Sequence, residues 1–288
     1  MKLGVVGMLP ADIRTLQSKH LKSIRALQLS AACFHVGPDL LFELKAADYQ
    51  KVKSLYADQG MKIIQMGIGY RECLFDPDAT VRQRVVNLIG RGLEVACEFG
   101  AQVALIRTGS LNPSGSYNPS RKNHTPEALA QLVETLRTIA AKAEAVGQTV
   151  VIETHMLTIL NSPEIIADVV KQVGSERIRI VMDYVNHFQT LSQVYDSTAR
   201  LNHIFDTMGA LCAVAHCKDL VVRNSALLYM DEEVPGEGEL DLATAFRRWH
   251  AQDPSAYMLL EHLPNELYPL AAGNARRIAA EAGVPISE

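Results

Sequence analysis

Short apolar and β-branched runs recur along the chain at 3–7, 29–36, 62–68, 102–108, 149–155, 178–185, 212–219 and 257–262. Between them, apolar residues return every three or four positions. Leu129, Leu132, Val133, Leu136, Ala140 and Ala143 share one helical face. Thr125 and Pro126 supply that helix with an N-cap and a first-turn proline, and Gly147 stands where a C-cap belongs. Val81, Val85, Leu88, Ala96 and Phe99 mark a second such helix, closed by Gly100, and 48–59 followed by Gly60 repeats the plan. Near-continuous apolar strands alternating with helices predict a parallel sheet covered on its outer face. Eight such units within 288 residues predict an α/β fold, a single (β/α)8 TIM barrel spanning 1–288. An open doubly wound sheet is the alternative topology. Its nucleotide-binding forms lose support, since the chain has neither GxGxxG after the first strand nor GxxxxGK[ST] anywhere.

Two connections are too long for plain turns. One is 109–124 (GSLNPSGSYNPSRKNH) after the fourth strand. The other is 220–240 after the seventh, which enters the acidic, glycine-broken run 231–241 (DEEVPGEGELD). Both leave the C-terminal ends of strands, the face on which such barrels carry their sites, and loops of this length serve as lids or substrate walls. The 28 basic and 32 acidic side chains sum to −4, and no basic run exists to grip a phosphate backbone, so no nucleic-acid partner is expected. No apolar stretch approaches the roughly eighteen residues of a membrane span. The first nine residues also lack the apolar core of a signal peptide, so a cytoplasmic protein without a membrane partner is expected. Five scattered cysteines without a CxxC read as reduced thiols.

The informative polar residues interrupt the strands near their C-terminal ends, in TVVIETH, IRIVMDYVNH, AVAHCKD and YMLLEH. Alternation places Val151, Glu153 and His155 on one face, Val181, Asp183, Val185 and (if the strand persists) His187 on another, and Val214, His216 and Lys218 on a third. With Glu261 following Leu259, the four residues Glu153, Asp183, His216 and Glu261 are predicted to converge at the barrel mouth. Three carboxylates and an imidazole brought together out of water require compensation, for which a divalent cation is the economical solution. Oxygen-rich ligation with one nitrogen suits Mn²⁺, Mg²⁺ or Co²⁺, with Zn²⁺ as a further option.

With these motifs, and VPGEGELD at 234–241, the chain resembles the xylose-isomerase-like TIM-barrel superfamily of sugar (phosphate) isomerases and epimerases. That superfamily also holds apurinic-site endonucleases, dehydratases and related lyases. The resemblance implies that Glu153, Asp183, His216 and Glu261 bind one divalent metal, with the two glutamates as acid and base. It also implies a tendency to form homo-oligomers. Three departures narrow it. Glu153 is followed by Thr-His-Met-Leu rather than the ExxNR of ketose 3-epimerases. The D-x-H pair of the three-zinc endonucleases is missing from 220–245. The Lys-containing motif beside the first glutamate of xylose isomerase proper is missing too.

A divalent ion holding adjacent carbonyl and hydroxyl oxygens acidifies the neighbouring C–H. Glu153 and Glu261 could then move a proton across a metal-stabilised enediolate, which gives epimerisation or aldose–ketose isomerisation. The expected substrate is a small sugar, keto sugar acid or sugar phosphate. A lyase on the same scaffold (decarboxylase or dehydratase) and a non-catalytic sugar- or partner-binding barrel are the alternatives. His155, His187 and Lys218 are expected around the substrate, with an ion pair from Lys218 to Asp183 or Glu153 as its other role. Arg107 shares parity with Val103 and Leu105, and either meets a substrate carboxylate or phosphate or bridges to Glu153. His35 ends the second strand as a pocket-lining or solvated histidine, while His262, opposite in parity to Glu261, is expected to face the helices.

Overall fold

The computed structural model describes residues 1–287. Its strands are β1 (Lys2–Val6), β2 (Ala31–Val36), β3 (Gln65–Ile68), β4 (Val103–Arg107), β5 (Thr149–Glu153), β6 (Ile178–Met182), β7 (Cys212–Cys217), β8 (Asp219–Val222), β9 (Met230–Glu233) and β10 (Tyr257–Leu260). Strands β1 to β7 and β10 close into a barrel in chain order, each parallel to its neighbours, with β10 completing the ring against β1. This is the (β/α)8 barrel that the periodicity predicts, and crossover helices returning each strand to the same end of the ring produce it.

The helical signals read from sequence appear as physical caps. Thr125 Oγ1 accepts the Ala128 N–H at 3.2 Å, Pro126 opens helix Pro126–Val146, and Gly147 closes it at φ 75°. The face carrying Leu132, Val133, Leu136, Ala140 and Ala143 is buried against the barrel. Inside the ring, Val6, Ala31, Cys33, Val103, Leu105, Val151, Val181, Val214, Tyr257 and Leu259 pack into one apolar plug. Each inward position beyond that plug, at the C-terminal end, is therefore the floor or wall of a mouth. Four of the five cysteines are buried as free thiols and Cys97 is exposed. Among the described residues, no helix is long and apolar enough to cross a membrane.

Several strands stop earlier than their apolar runs suggest. β5 ends at Glu153, β6 at Met182 and β10 at Leu260, so alternation no longer governs His155, His187 or His262. After Asp183 the chain tightens into the 3₁₀ turn Tyr184–His187, and His262 adopts a left-handed φ of 57°. The connection 220–240 is likewise no plain loop, because β8 and β9 pair antiparallel and form a hairpin above the mouth. Its first arm is apolar (219–222, DLVV) but its second is the polar 230–233 (MDEE), which apolar periodicity does not mark.

A single buried carboxylate holds the returning arm of this hairpin. Asp219 accepts N–H groups from Leu220 at 2.8 Å, Gly236 at 3.0 Å, Gly238 at 3.1 Å and Leu240 at 3.2 Å. A Cβ on Gly238 would press against that carboxylate and against the Leu220 carbonyl 2.6 Å away. Gly238→Ala is therefore expected to cost about 1–3 kcal/mol. It should appear as a lower urea midpoint with faster amide exchange across 219–240, and an unchanged midpoint and exchange pattern would contradict the clamp.

Candidate functional site

Four strand ends deliver the predicted cluster. Glu153 is the last residue of β5, Asp183 follows β6, His216 lies on β7 and Glu261 follows β10, and all four are buried. One ligand-type atom from each lies within 4.8 Å of the others. Opposite ligands around one ion, each about 2.0–2.6 Å from it, lie about 4–5 Å apart, so the cluster has the span of a single-ion shell. His216 Nδ1 is 2.8 Å from Glu261 Oε1 and 3.5 Å from Asp183 Oδ2. Even so, His216 Nδ1, Glu261 Oε1 and Asp183 Oδ1 make no hydrogen bond of acceptable geometry although all three are buried. Buried polar atoms seldom stay unsatisfied, and three gathered in one place fit a cation-binding centre. Three carboxylates with one imidazole are the donor set of a hard to borderline divalent ion.

The second nitrogen of His216 fixes which atom faces the cluster. Nε2 lies 3.0 Å from Gln65 Oε1, which can only accept, so Nε2 carries the proton and Nδ1 turns to the carboxylates. Asn186 Nδ2 donates to Asp183 Oδ2 at 2.8 Å and to the Thr154 carbonyl at 3.1 Å. The Tyr117 hydroxyl, from the long 109–124 connection, donates to Glu153 Oε2 at 2.5 Å. Sequence periodicity missed all three. Gln65 alone left a trace, as an uncharged polar residue inside an apolar strand run.

Lys218 pairs with Asp183 rather than Glu153. Its Nζ lies 2.8 Å from Asp183 Oδ2, 2.8 Å from Glu261 Oε1 and 3.1 Å from Glu232 Oε1, the last supplied by β9. Electrostatics follow from this crowding. Burial and then the charge of Glu261 push the Glu153 carboxyl up. Burial works the same way on Glu261, but charged His216 and Lys218 outweigh it and hold Glu261 well below the ordinary carboxylate range. For His216, burial is overcome by the carboxylates of Glu261 and Asp183, which raise the imidazole to about 10.

The remaining predicted residues divide. His155 stays at the mouth, its ring tilted against Tyr117 with centroids 5.8 Å apart, but it lies beyond β5 rather than on it. His187 is fully buried on the 3₁₀ turn, its Nε2 3.0 Å from Thr154 Oγ1, so the expectation that a continuing strand presents it is corrected. Burial pushes that imidazole down to about 4. Arg107 forms no bridge to Glu153, and its guanidinium instead lies over the Tyr70 ring at 4.8 Å. His35, on the same face of β2 as the plug residues Ala31 and Cys33, is exposed and lies within electrostatic reach of Glu261, His216 and Arg107. His262 does not face the helices, because its left-handed backbone returns the ring to Glu232, at 3.1 Å.

Comparison with known proteins places this geometry. Similar solved structures include the 3-keto-D-glucoside 4-epimerase of E. coli, with 16% identity and a TM-score of 0.71 over 97% of this chain and 99% of that one. A magnesium-bound xylose isomerase-like TIM barrel protein of Mycobacterium smegmatis has 15% identity and a TM-score of 0.72 over 98% and 96%. D-Psicose 3-epimerase of Clostridium cellulolyticum H10, solved with D-tagatose, has 13% identity and a TM-score of 0.73 over 98% and 99%. Identities this low establish the shared fold. No curated protein matches by sequence. The sequence profile of one family matches residues 25–281, nearly the whole barrel, and the chain belongs to the xylose isomerase-like TIM barrel family.

Proposed function

We propose that this protein is a divalent-metal-dependent isomerase or epimerase of a small sugar, keto sugar acid or sugar phosphate. The observation that carries the reading is the buried convergence of Glu153, Asp183, His216 and Glu261, with three of their polar atoms left without a hydrogen bond. These four residues would hold one ion, with Mn²⁺, Mg²⁺ or Co²⁺ favoured by the oxygen-rich set. A bound divalent ion supplies Lewis acidity to the carbonyl and hydroxyl oxygens of an α-hydroxycarbonyl substrate.

The protein's own groups do the rest. Glu153 ends β5 and Glu261 follows β10, and these strands are three apart around the ring. They are placed to take a proton from the carbon beside the carbonyl and to return one from the other side. Tyr117 steadies Glu153, Gln65 fixes the His216 tautomer, and Lys218 and His155 are donors at the mouth. His187, sealed behind Thr154, supports the wall rather than touching substrate. Similarity to D-psicose 3-epimerases solved with D-tagatose or in the presence of D-fructose supports the substrate class.

Incubation in D₂O with Mn²⁺ and a panel of ketoses, keto sugar acids and sugar phosphates tests the reaction. Deuterium should enter beside the carbonyl with the molecular formula otherwise conserved, whereas loss of CO₂ or water would replace this reading with a lyase. Glu153→Gln and Glu261→Gln should each lower kcat by about a hundredfold to ten-thousandfold. Full activity of the double variant, or after exhaustive chelation, would remove the mechanism.

Metal binding can be measured without turnover. Because His216 is protonated below about 10 when no cation is present, binding must release that proton. Calorimetry with Mn²⁺ should show affinity rising with pH, about tenfold per unit for one proton displaced, and proton release into the buffer. A pH-independent affinity would mean that His216 is not a ligand. Gln65→Leu removes the acceptor that sets the tautomer and should weaken Mn²⁺ by about tenfold to a hundredfold, with the fold intact by circular dichroism.

A further inference from the structure

The wall of the mouth opposite Asp183, His216 and Glu261 has a different character. Arg107 ends β4, and its inward-facing partners Val103 and Leu105 belong to the apolar plug, so its side chain rises into the mouth. Tyr70 fixes it in two ways. The Tyr70 hydroxyl accepts the Arg107 N–H at 2.9 Å and donates to the Arg107 carbonyl at 2.5 Å, while the Tyr70 ring stacks under the guanidinium. Yet the buried Nε of Arg107 makes no hydrogen bond, and its guanidinium forms no ion pair with a described residue.

Strand register sets Arg107 beside Glu153, a carboxylate that could neutralise it. Glu153 instead accepts from the Tyr117 hydroxyl through Oε2 and belongs to the carboxylate cluster. Two strands away from β4, His35 extends its ring across Gly67 of β3, where any Cβ would overlap it. The wall from β2 to β4 therefore offers hydrogen-bond donors and a held, uncompensated positive charge, while the wall from β5 to β10 offers carboxylates. A guanidinium fixed in plane, half-buried and without a counter-ion, is built to receive one from outside.

We infer that the substrate carries an oxyanion, a carboxylate or a phosphate, at the end remote from its carbonyl, and that Arg107 binds it. This rests on the isomerase reading only for the placement of the carbonyl end at the carboxylate cluster. The fork geometry of Arg107 matches either anion, so the test separates them.

D-Fructose, D-fructuronate and D-fructose 6-phosphate form a matched set that is neutral, carboxylated and phosphorylated at the same end. Each is titrated calorimetrically into the Mn²⁺-loaded protein, with deuterium exchange followed in parallel. One of the two anions should bind about tenfold to a hundredfold more tightly than D-fructose, which identifies the group recognised. Arg107→Met should collapse that ratio to near unity, and Arg107→Lys, which keeps the charge but not the fork, should restore part of it. Circular dichroism melts confirm that both variants fold. No anion preference in the wild type, including failure of all three to bind, overturns the inference, as does a preference that survives in Arg107→Met. Anion-selective binding without deuterium exchange would sustain the role of Arg107 and overturn the isomerase reading. Exchange without anion preference would do the reverse.

Discussion

Three carboxylates cannot share a dry barrel mouth unless positive charge joins them, and much of the surrounding structure answers that requirement. Lys218 reaches Asp183 and Glu261 at once, His216 Nδ1 faces the same two, and Glu232 comes down from the hairpin as a further partner of Lys218. The closed ring makes the arrangement attainable, because successive strands end at one rim and each contributes a side chain. The apolar plug beneath keeps those side chains from retreating inward. The cluster is thus held between burial above a sealed floor and an excess of negative charge that Lys218 and His216 offset only in part.

Legibility in the sequence follows the reach of periodic structure. Strand and helix alternation is a property of neighbouring residues, so the barrel and the caps at Thr125 and Gly147 could be read directly. Glu153 and His216 could be read because alternation holds to the strand end, and Asp183 and Glu261 because they lie one residue past it. His187 and His262 show where the rule lapses. Once the ladder stops, a 3₁₀ turn or a left-handed residue sets direction, and parity carries no information. Tyr117 and Glu232 were illegible for another reason. They arrive from long excursions whose return to the site depends on tertiary contacts that no local pattern encodes. Whether Lys218 would choose Asp183 or Glu153 likewise depended on side-chain reach across the mouth.

The mouth is also electrically divided. Acceptors dominate from β5 round to β10, while Arg107 and His35 stand on the wall from β2 to β4. A small molecule entering between them meets opposite potentials at its two ends, which orients it before any short-range contact forms. Tyr70 holds Arg107 on that wall, through its ring and through two main-chain hydrogen bonds.

Asp219 leaves a consequence for how such a site can diversify. Its one carboxylate takes up main-chain amides from both sides of the hairpin, so the root at 219–222 and the return at 234–240 are fastened to each other independently of what lies between. Leu227, Leu228 and Tyr229, at the tip, are exposed and carry none of that fastening. Residues 223–229 can therefore lengthen, shorten or change character while Lys218 and Glu232 keep their places. The rim of the barrel is free to explore new shapes above a charge cluster that cannot.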